Sequence, residues 1–165
     1  MSYPLFIGRF QPLHLGHLSA IKDIVKAEGK VLIGIGSAEQ SFLDDNPFTC
    51  SERIQMIEAA MKEAKIPCEK YRIIPVRNIN NYALWVNHVQ NILPPFDKVY
   101  TSSKIVKRLF ERAGVPVKPT KIKVKVDATK VRNAMIRGTN WQKMVPGAVA
   151  KFIKKIDGVK RVKEI

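Results

Sequence analysis

One short segment of the sequence gathers residue types that suit the binding of phosphate. Residues 8–17 have the sequence Gly-Arg-Phe-Gln-Pro-Leu-His-Leu-Gly-His. His14 and His17 are three positions apart, so at the start of a helix they lie on the same side. The free amides and the dipole of a helix N-terminus favour an anion, and Arg9 adds a permanent positive charge. This segment therefore predicts a pocket of hydrogen-bond donors directed at phosphate.

The two glycines of this segment suit a close approach of a ligand to the backbone. Gly8 allows the chain to leave a strand in a conformation that other residues resist. Gly16 leaves the predicted helix start without a side chain, so a flat ring or a phosphate can come near. A His-x-x-His pair by itself is more often a helix cap or a partner of a carbonyl, but the whole string in this order is more specific.

The sequence does not predict a metal site made of protein side chains. A metal held by His14 and His17 would need a third ligand, and the remaining histidine, His88, lies within a helical pattern. Cys50 and Cys68 form no Cys-x-x-Cys motif, and we interpret them as reduced thiols of a cytoplasmic protein. The chain begins without a signal-peptide pattern, and no apolar run approaches the roughly 20 residues that a membrane span needs.

The elements that must position these residues alternate between strand and helix. The predicted strands span residues 3–7, 31–35, 71–76 and 98–100, with a half-exposed edge strand over 121–126. The predicted helices span residues 15–27, 83–93, 129–136 and 148–156. A further helix begins at residue 49, and another is capped by Thr101 or Ser102 and ends near residue 113. This order is typical of a doubly wound α/β fold with a parallel, Rossmann-like sheet. We expect a single domain over residues 1–165 whose C-terminal part, about 129–165, is helical.

Local signals support several helix ends. Thr49 and Glu52 predict a capping box, and Gly29, Gly114 and Gly138 predict the ends of helices. In doubly wound sheets, ligands bind outside the carboxyl ends of the strands, where the strand order reverses. We therefore expect the site at the loops that follow residues 7, 35 and 76.

The charge of the chain is uneven. With 29 Lys and Arg against 14 Asp and Glu, the 165 residues carry a formal net charge of +15. Residues 1–97 hold 10 basic and 10 acidic side chains, whereas residues 98–165 hold 19 basic and 4 acidic ones. This asymmetry indicates either an anionic partner or a solvated basic face. We do not expect nucleic acid as the partner, because the aromatic residues of the basic half are few and unclustered: Tyr100, Phe110, Trp141 and Phe152.

The string over residues 8–17 resembles the signature of the nucleotidylyltransferase superfamily with the His-x-Gly-His motif. More closely, the chain is similar to the archaeal-type nicotinamide-mononucleotide adenylyltransferase family. Further segments match that family in the same order: Gly34-x-Gly36-Ser37, Asn46-Pro47-Phe48-Thr49, Glu52-Arg53, Leu84-Trp85-Val86, Pro94-Pro95-Phe96-Asp97, Thr129-x-Val131-Arg132 and Gly158-Val159-x-Arg161.

The resemblance implies transfer of an adenylyl group from ATP to nicotinamide mononucleotide, which gives NAD and pyrophosphate. It implies magnesium or another divalent cation with the ATP, and no protein nucleophile, because the attacking phosphate is already anionic. The residues implied for ATP are Gly8, Arg9, Phe10, Gln11, His14, Gly16, His17, Thr129 and Arg132.

Within this set the resemblance implies separate roles. The residues that would hold phosphates and act in catalysis are Arg9, His14, His17 and Arg132, the last on the β,γ-phosphates from a second helix N-terminus. The base and ribose would lie near Gly8, Phe10 and Gly16. Thr129 would cap the second helix or donate to a phosphate.

The resemblance also implies a subsite for the positively charged nicotinamide ring. Trp85 would stack on this ring, since an indole face attracts a cation by about 0.5–2 kcal/mol. Taken alone, Trp85 would more often be a core or subunit-contact residue. The loop with Asn78, Ile79, Asn80 and Tyr82 would contact the carboxamide and ribose. Nicotinate mononucleotide and phosphopantetheine are alternative acceptors within the superfamily, and we expect a homo-oligomer because archaeal members often assemble.

The sequence departs from the family pattern at positions that bear on these roles. Asp127 precedes the second helix, where it would repel a triphosphate unless it turns away or binds magnesium. Asn78 and Tyr82 stand where the family tends to have Asp and Asn. Asp45 lies in a loop where more polar or basic residues are usual.

Overall fold

The computed structural model describes residues 2–121 and 123–165 of the chain. Its strands are β1 (Tyr3–Gly8), β2 (Val31–Ile35), β3 (Tyr71–Pro75), β4 (Phe96–Thr101) and β5 (Val117–Pro119). They form one sheet in the order β3-β2-β1-β4-β5, and every neighbouring pair is parallel. In register, Leu5 of β1 faces Leu32 of β2 on one side and Val99 of β4 on the other.

The helices cover both faces of this sheet. They are α1 (Leu15–Glu28), α2 (Cys50–Glu63), α3 (Tyr82–Ile92), α4 (Lys104–Arg112), α5 (Ala128–Arg137), α6 (Gly147–Lys155) and α7 (Gly158–Glu164). Because successive strand residues point to opposite faces, Phe6 packs with α1, α2 and the C-terminal helices, whereas Leu5 packs with α3 and α4. The predicted doubly wound fold is confirmed. Among the helices of the described ranges, none is long and apolar enough to cross a membrane.

The strand order reverses between β1 and β4. The chain builds outward through β2 and β3 on one side of β1, and then through β4 and β5 on the other side. A crevice forms at such a reversal, outside the carboxyl ends of the strands. The three loops that were expected to form the site begin at this edge. The observed strand order places the loop after β4 at the same edge.

Most predicted helix caps are present. The Thr49 hydroxyl accepts from the Glu52 backbone at 3.2 Å, and the Glu52 carboxylate accepts from the Thr49 backbone at 2.9 Å. The cap of α4 was expected at Thr101 or Ser102 and is instead Ser103, whose hydroxyl accepts from the backbone of Val106. Thr101 still belongs to β4, and its hydroxyl accepts from the Ser103 backbone, so the helix begins later.

The predicted edge strand over residues 121–126 is wrong. The fifth strand is Val117–Pro119, which pairs with the end of β4 directly after α4. The Val126 backbone donates to the Val124 carbonyl at 2.9 Å, a tight local turn that strand pairing does not allow. The apolar alternation reflects burial of Val126 against the core rather than a sheet edge. Ile122, part of the predicted strand, lies outside the described residues.

The C-terminal helices share a core with the sheet. Trp141, Val149, Ile153 and Val162 belong to the same buried cluster as residues of α1 and α2. The sequence did not predict α7, a helix of seven residues that packs on α5 and α6. The Arg161 guanidinium anchors this helix to α2 through two bonds to the Glu52 carboxylate, at 2.6 and 2.9 Å.

A polar cluster at the end of α1 ties this helix to β4 and β5. One oxygen of the Glu28 carboxylate accepts from the Tyr100 hydroxyl at 2.6 Å and from Lys118 at 3.0 Å, and the other accepts from Lys98 at 2.9 Å. These hydrogen bonds, the one from Tyr100 foremost, lower the pKa of Glu28 from 4.5 to about 2. The charged carboxylate therefore stabilises the folded state above pH 4.5, and this contribution is lost as the pH falls from 4.5 towards 2.

We predict that Glu28→Gln lowers the free energy of unfolding by about 2 kcal/mol at pH 7, because three charge-assisted or short hydrogen bonds are weakened. The difference from the wild type should shrink as the pH falls below 4.5. Urea denaturation at pH 7 and pH 3 measures both values. Glu111→Gln is the control, since the Glu111 carboxylate forms an exposed pair with Lys107 at 3.7 Å, and exposed pairs contribute little to stability. An equal loss at both pH values would contradict the prediction.

Candidate active site

The two histidines of segment 8–17 cap the first turn of α1. Nδ1 of His14 accepts from the backbone N–H of His17 at 3.3 Å, and Nδ1 of His17 accepts from the backbone N–H of His14 at 3.3 Å. The two rings stack with their centroids 3.6 Å apart. Because both Nδ1 atoms are acceptors, each neutral ring carries its proton on Nε2.

Both imidazoles are neutral at pH 7. Burial lowers the pKa of His14 to about 4, although Asp127 opposes this shift. Burial, followed by the neighbouring His14 ring, lowers the pKa of His17 well below 6.5. Each ring of the protein without a ligand therefore offers one Nε2–H donor at neutral pH.

A cavity of about 410 Å³, here called the first cavity, opens beside these rings. Its walls come from the segment after β1 with the start of α1, the loop after β4, and the first two turns of α5 with its cap: Arg9, Phe10, Gln11, His14, His17, Ser103, Asp127, Ala128, Thr129 and Arg132. The N-termini of α1 and α5 thus meet at one cavity. Their free amides and dipoles favour an anion in it.

Arg132 is a fixed cation in the wall of the first cavity. Its side chain is buried, and Nη1 donates to the backbone oxygen of Gln11 at 3.0 Å while Nη2 donates to the Thr129 hydroxyl at 3.4 Å. Burial, followed by the nearby Arg9, lowers the pKa of Arg132, but an arginine still keeps its proton at pH 7. The bonds to Gln11 and Thr129 leave further N–H donors for a ligand.

Asp127 caps α5, and its half-exposed carboxylate also lines the first cavity. Its carboxylate accepts from the backbone of Lys130 at 2.8 Å and lies 3.6 Å from the Lys130 ammonium. The repulsion expected between Asp127 and a triphosphate is therefore reduced by its own helix. Thr129 is not the cap, and its hydroxyl accepts from Arg132 instead.

A second cavity of about 200 Å³ shares Arg9 with the first. Its walls come from the end of β1, the loops after β1, β2 and β3, and the helices α3 and α4: Ile7, Gly8, Arg9, Gly36, Ser37, Val76, Arg77, Asn78, Tyr82, Trp85 and Val106. Trp85 is half-buried, and its ring meets Phe110 edge-on with the centroids 5.5 Å apart. Trp85 is thus both a core contact and a wall of the second cavity.

Arg9 lines both cavities and is held from the opposite loop. Its Nη1 donates to the Asp45 carboxylate at 2.7 Å, and both side chains are about half exposed. The hydrogen bond from Arg9 lowers the pKa of Asp45, so this carboxylate is charged at pH 7. An anion in either cavity would therefore meet a guanidinium that is already oriented.

A third cavity of about 190 Å³ adjoins the first, with which it shares His14, His17 and Asp127. Gly16 forms part of its wall, opposite Val124 and Val126. A Cβ on Gly16 would lie 3.0 Å from the His14 ring and 3.2 Å from the Val126 carbonyl, so a side chain would crowd both. Gly16 and the two valines give part of this cavity an apolar wall, and the charged residues Lys121 and Asp127 also line the cavity.

The model of the cytidylyltransferase-like family matches residues 5–134, which include both histidines and Arg132.

The chain belongs to this family.

Within it, archaeal relatives extend over almost the whole sequence. A nicotinamide-nucleotide adenylyltransferase of Archaeoglobus fulgidus is 44% identical over 165 residues, covering 97% of this chain and 95% of the relative. One of Methanolobus tindarius is 42% identical over 167 residues, covering 100% of this chain and 95% of the relative. The resemblance inferred from the motifs is confirmed.

Solved structures share the fold. A bifunctional NMN adenylyltransferase/ADP ribose pyrophosphatase from Francisella tularensis has a TM-score of 0.75 at 23% identity, over 92% of this chain and 50% of that one. The same enzyme complexed with AMP and a manganese ion has a TM-score of 0.72 at 23% identity, over 98% of this chain and 52% of that one. At this identity the likeness supports the Rossmann-like fold alone.

In this cytidylyltransferase-like protein, the residues expected around ATP do not all lie at the same cavity, and some of them support others. Gly8 lines the second cavity with Trp85, not the first with the histidines. Phe10 is buried beneath His17, with the ring centroids 4.7 Å apart, so it supports the ring. The Gln11 side chain is engaged with the backbone of Phe48 through two bonds of 2.9 Å, so it contributes position rather than a free donor.

The loop expected to contact the second substrate is only partly in the cavity wall. Asn78 and Tyr82 line the second cavity, whereas Ile79 and Asn80 are not among its lining residues. Asn80 instead accepts from the Asn78 side chain at 2.7 Å. His88 hydrogen-bonds to the carbonyl of Arg77 at 2.7 Å, so it steadies the start of this loop.

Sequence reasoning assigned no role to Arg53, Asp45 or Ser103, although all three contact or form the site. Ser103 lies at the site because β4 is the neighbour of β1 in the sheet, and the sequence does not reveal this strand order. Arg53 had a signal, because it lies on the inner face of α2 with Met56 and Ile57, where a charged residue is rare.

We predict that the ¹⁵N shifts of the His14 and His17 rings remain those of the neutral Nε2–H form from pH 8 to pH 5, since burial keeps both pKa values low. Below pH 5 the His14 ring should titrate near pH 4. NMR of the ¹⁵N-histidine-labelled protein measures this, with His14→Asn and His17→Asn used for assignment. Titration of either ring near pH 6.5, or an Nδ1–H form, would contradict the capping geometry.

Proposed function

We propose that this protein transfers the adenylyl group of ATP to nicotinamide mononucleotide, releasing pyrophosphate and forming NAD. The observation that carries the proposal is the position of Arg9 between two cavities. One cavity offers donors from two helix N-termini, and the other presents a half-buried indole ring. Two phosphorylated substrates bound in these cavities would bring their phosphates together at one guanidinium.

The chemistry of this transfer needs positioning and charge stabilisation. An oxygen of the mononucleotide phosphate attacks the α-phosphorus of ATP, the bond between the α-phosphorus and the bridging oxygen breaks, and pyrophosphate leaves with the electron pair. The attacking oxygen is already anionic at pH 7, so no protein base is required. Alignment of the reacting groups and donors preorganised around the developing charge supply the acceleration.

The first and third cavities suit ATP. The Nε2–H groups of His14 and His17, together with Arg9 and Arg132, would bind the triphosphate. The base would lie over Gly16, in the third cavity. The archaeal relatives named nicotinamide-nucleotide adenylyltransferase support adenylyl transfer as the activity through their similarity along the whole chain.

A divalent cation would enter with the triphosphate rather than bind to the free protein. The first cavity offers mainly cations and N–H donors, and its one carboxylate, Asp127, caps α5. Such a donor set fits phosphate oxygens better than a bare cation. Magnesium or manganese bound to the phosphates would neutralise part of their charge.

The second cavity suits the mononucleotide. The nicotinamide ring would stack on Trp85, where a cationic ring is attracted to the indole face. Asn78 would offer its side chain to the carboxamide or ribose, and Arg9 would bind the phosphate. Tyr82 is exposed at the rim of the cavity and could cover the bound ring.

We predict pyrophosphate release with ATP and nicotinamide mononucleotide, and a loss of about 100-fold in kcat in His14→Asn. Asparagine is a good N-cap, so this variant keeps the start of α1 but removes the Nε2–H donor. His17→Ala should lose most of the activity as well. Lys154→Ala on the exposed face of α6 is the control. Normal turnover in both histidine variants would exclude the phosphate role.

The same assay with nicotinate mononucleotide and phosphopantetheine tests the acceptor. We expect the highest kcat/KM with nicotinamide mononucleotide. Turnover with one of the other acceptors in its place would overturn the proposed substrate while leaving adenylyl transfer intact.

We predict that binding of nicotinamide mononucleotide quenches the fluorescence of Trp85. Trp141, the other tryptophan, is buried at 4% exposure outside the cavities and supplies an unquenched reference. Trp85→Leu should raise the KM for the mononucleotide about 2- to 30-fold with little change in kcat, and Trp85→Phe should raise it less. Equal quenching in the wild type and Trp85→Phe would place the ring elsewhere.

A further inference from the structure

One arginine of α2 is completely buried and binds only backbone carbonyls among the contacts described. Arg53 is 0% exposed. Its five N–H groups donate to six carbonyl oxygens, with one N–H of Nη2 shared between two acceptors. The acceptors are the carbonyls of Arg9 (3.0 Å), Gly36 (2.9 Å), Ser37 (3.0 Å), Ala38 (3.3 Å), Gln40 (3.3 Å) and Thr49 (3.3 Å). A buried guanidinium with this many acceptors restrains each of the segments that supply them.

Three of the six carbonyls belong to residues that line the two substrate cavities. Arg9 follows β1 and lines both the first and the second cavity. Gly36 and Ser37 follow β2 and line the second cavity. Arg53 therefore connects the segment expected to hold the triphosphate with the segment expected to hold the other substrate.

Each cavity also has supports that do not involve Arg53. In the first cavity, His14 and His17 cap one another, and Arg132 is held by the Gln11 carbonyl. In the second cavity, Trp85 packs on Phe110, and the backbone of Asn78 donates to Glu39. Loss of Arg53 would thus leave each binding surface formed, but the distance between the two surfaces would no longer be fixed.

We propose that Arg53 is a positioning residue that sets the distance between the two substrates for the transfer. It touches neither substrate and acts through the carbonyls of Arg9, Gly36 and Ser37. The inference rests on the proposed function, since it concerns the alignment of the two phosphates. Misplacement of reacting groups by about 1 Å can reduce a rate about 100-fold.

The test uses the full chain with Arg53→Lys and Arg53→Met. Lysine keeps a positive charge but cannot reach six carbonyls with its three donors, and methionine keeps only the apolar stem. We expect kcat to fall about 100-fold in Arg53→Met, and less in Arg53→Lys, whereas the KM of each substrate changes by less than about threefold. Binding of the mononucleotide alone, followed by Trp85 fluorescence, should be nearly unchanged in the folded variants.

Met56→Ala is the matched control for lost stability. Met56 is fully buried on the same face of α2, and its side chain belongs to the core rather than to the site. All variants are assayed well below their melting temperatures, with the folded fraction measured by circular dichroism. We expect Met56→Ala to lower the melting temperature while kcat per folded molecule stays close to that of the wild type.

Several results would overturn the proposal. An equal fall of kcat in Met56→Ala would show a general effect of destabilisation, and a rise in KM with unchanged kcat would show a role in binding. Failure of both Arg53 variants to fold would show a purely structural role. An inactive wild type would instead refute the proposed function, so the two failures are distinguishable.

Discussion

The backbone amides at the start of α1 need acceptors, and the two histidines supply them to each other. His14 stands at the N-cap and His17 at the third position of the helix, so each Nδ1 receives one amide. Both Nε2–H groups are then left for a ligand, and the two rings, 3.6 Å apart, stay neutral. The glycine between them follows from the same constraint, because a side chain at Gly16 would press on the His14 ring.

Carbonyl oxygens at the end of the sheet need hydrogen-bond donors, whereas the helix amides need acceptors. Where the chain leaves β1 and β2, the carbonyls of Arg9, Gly36 and Ser37 lose their strand partners and turn inward, and Arg53 supplies the donors. The N-termini of α1 and α5, by contrast, lie at the first cavity, where the two histidines, Arg9 and Arg132 supply donors. Donor groups therefore line the candidate ligand site while these carbonyls are bound in the protein interior, an arrangement that attracts anions.

Local patterns in the sequence suffice to predict several caps, helix ends and one buried strand. The Thr49–Glu52 box, the glycine ends of α1 and α5 and the buried run of β2 were all predictable, since each depends on residues within one or two turns. The pattern over residues 121–126 failed because alternating apolar residues also arise where a loop lies across the core, as Val126 does. The cap of α4 was misplaced because three adjacent hydroxyl residues could each have capped it.

By itself, the sequence determined the order of elements, the capping pairs and the residue types available to bind phosphate. The tertiary structure decided which of them share a cavity: Arg132 reaches the Gln11 carbonyl across 121 positions, and Arg53 reaches that of Arg9 across 44. It also placed Gly8 beside Trp85 and brought Ser103 to the histidines. The physical reason is that a cap is satisfied within a turn, whereas these contacts depend on strand order and packing, which arise from the whole chain at once.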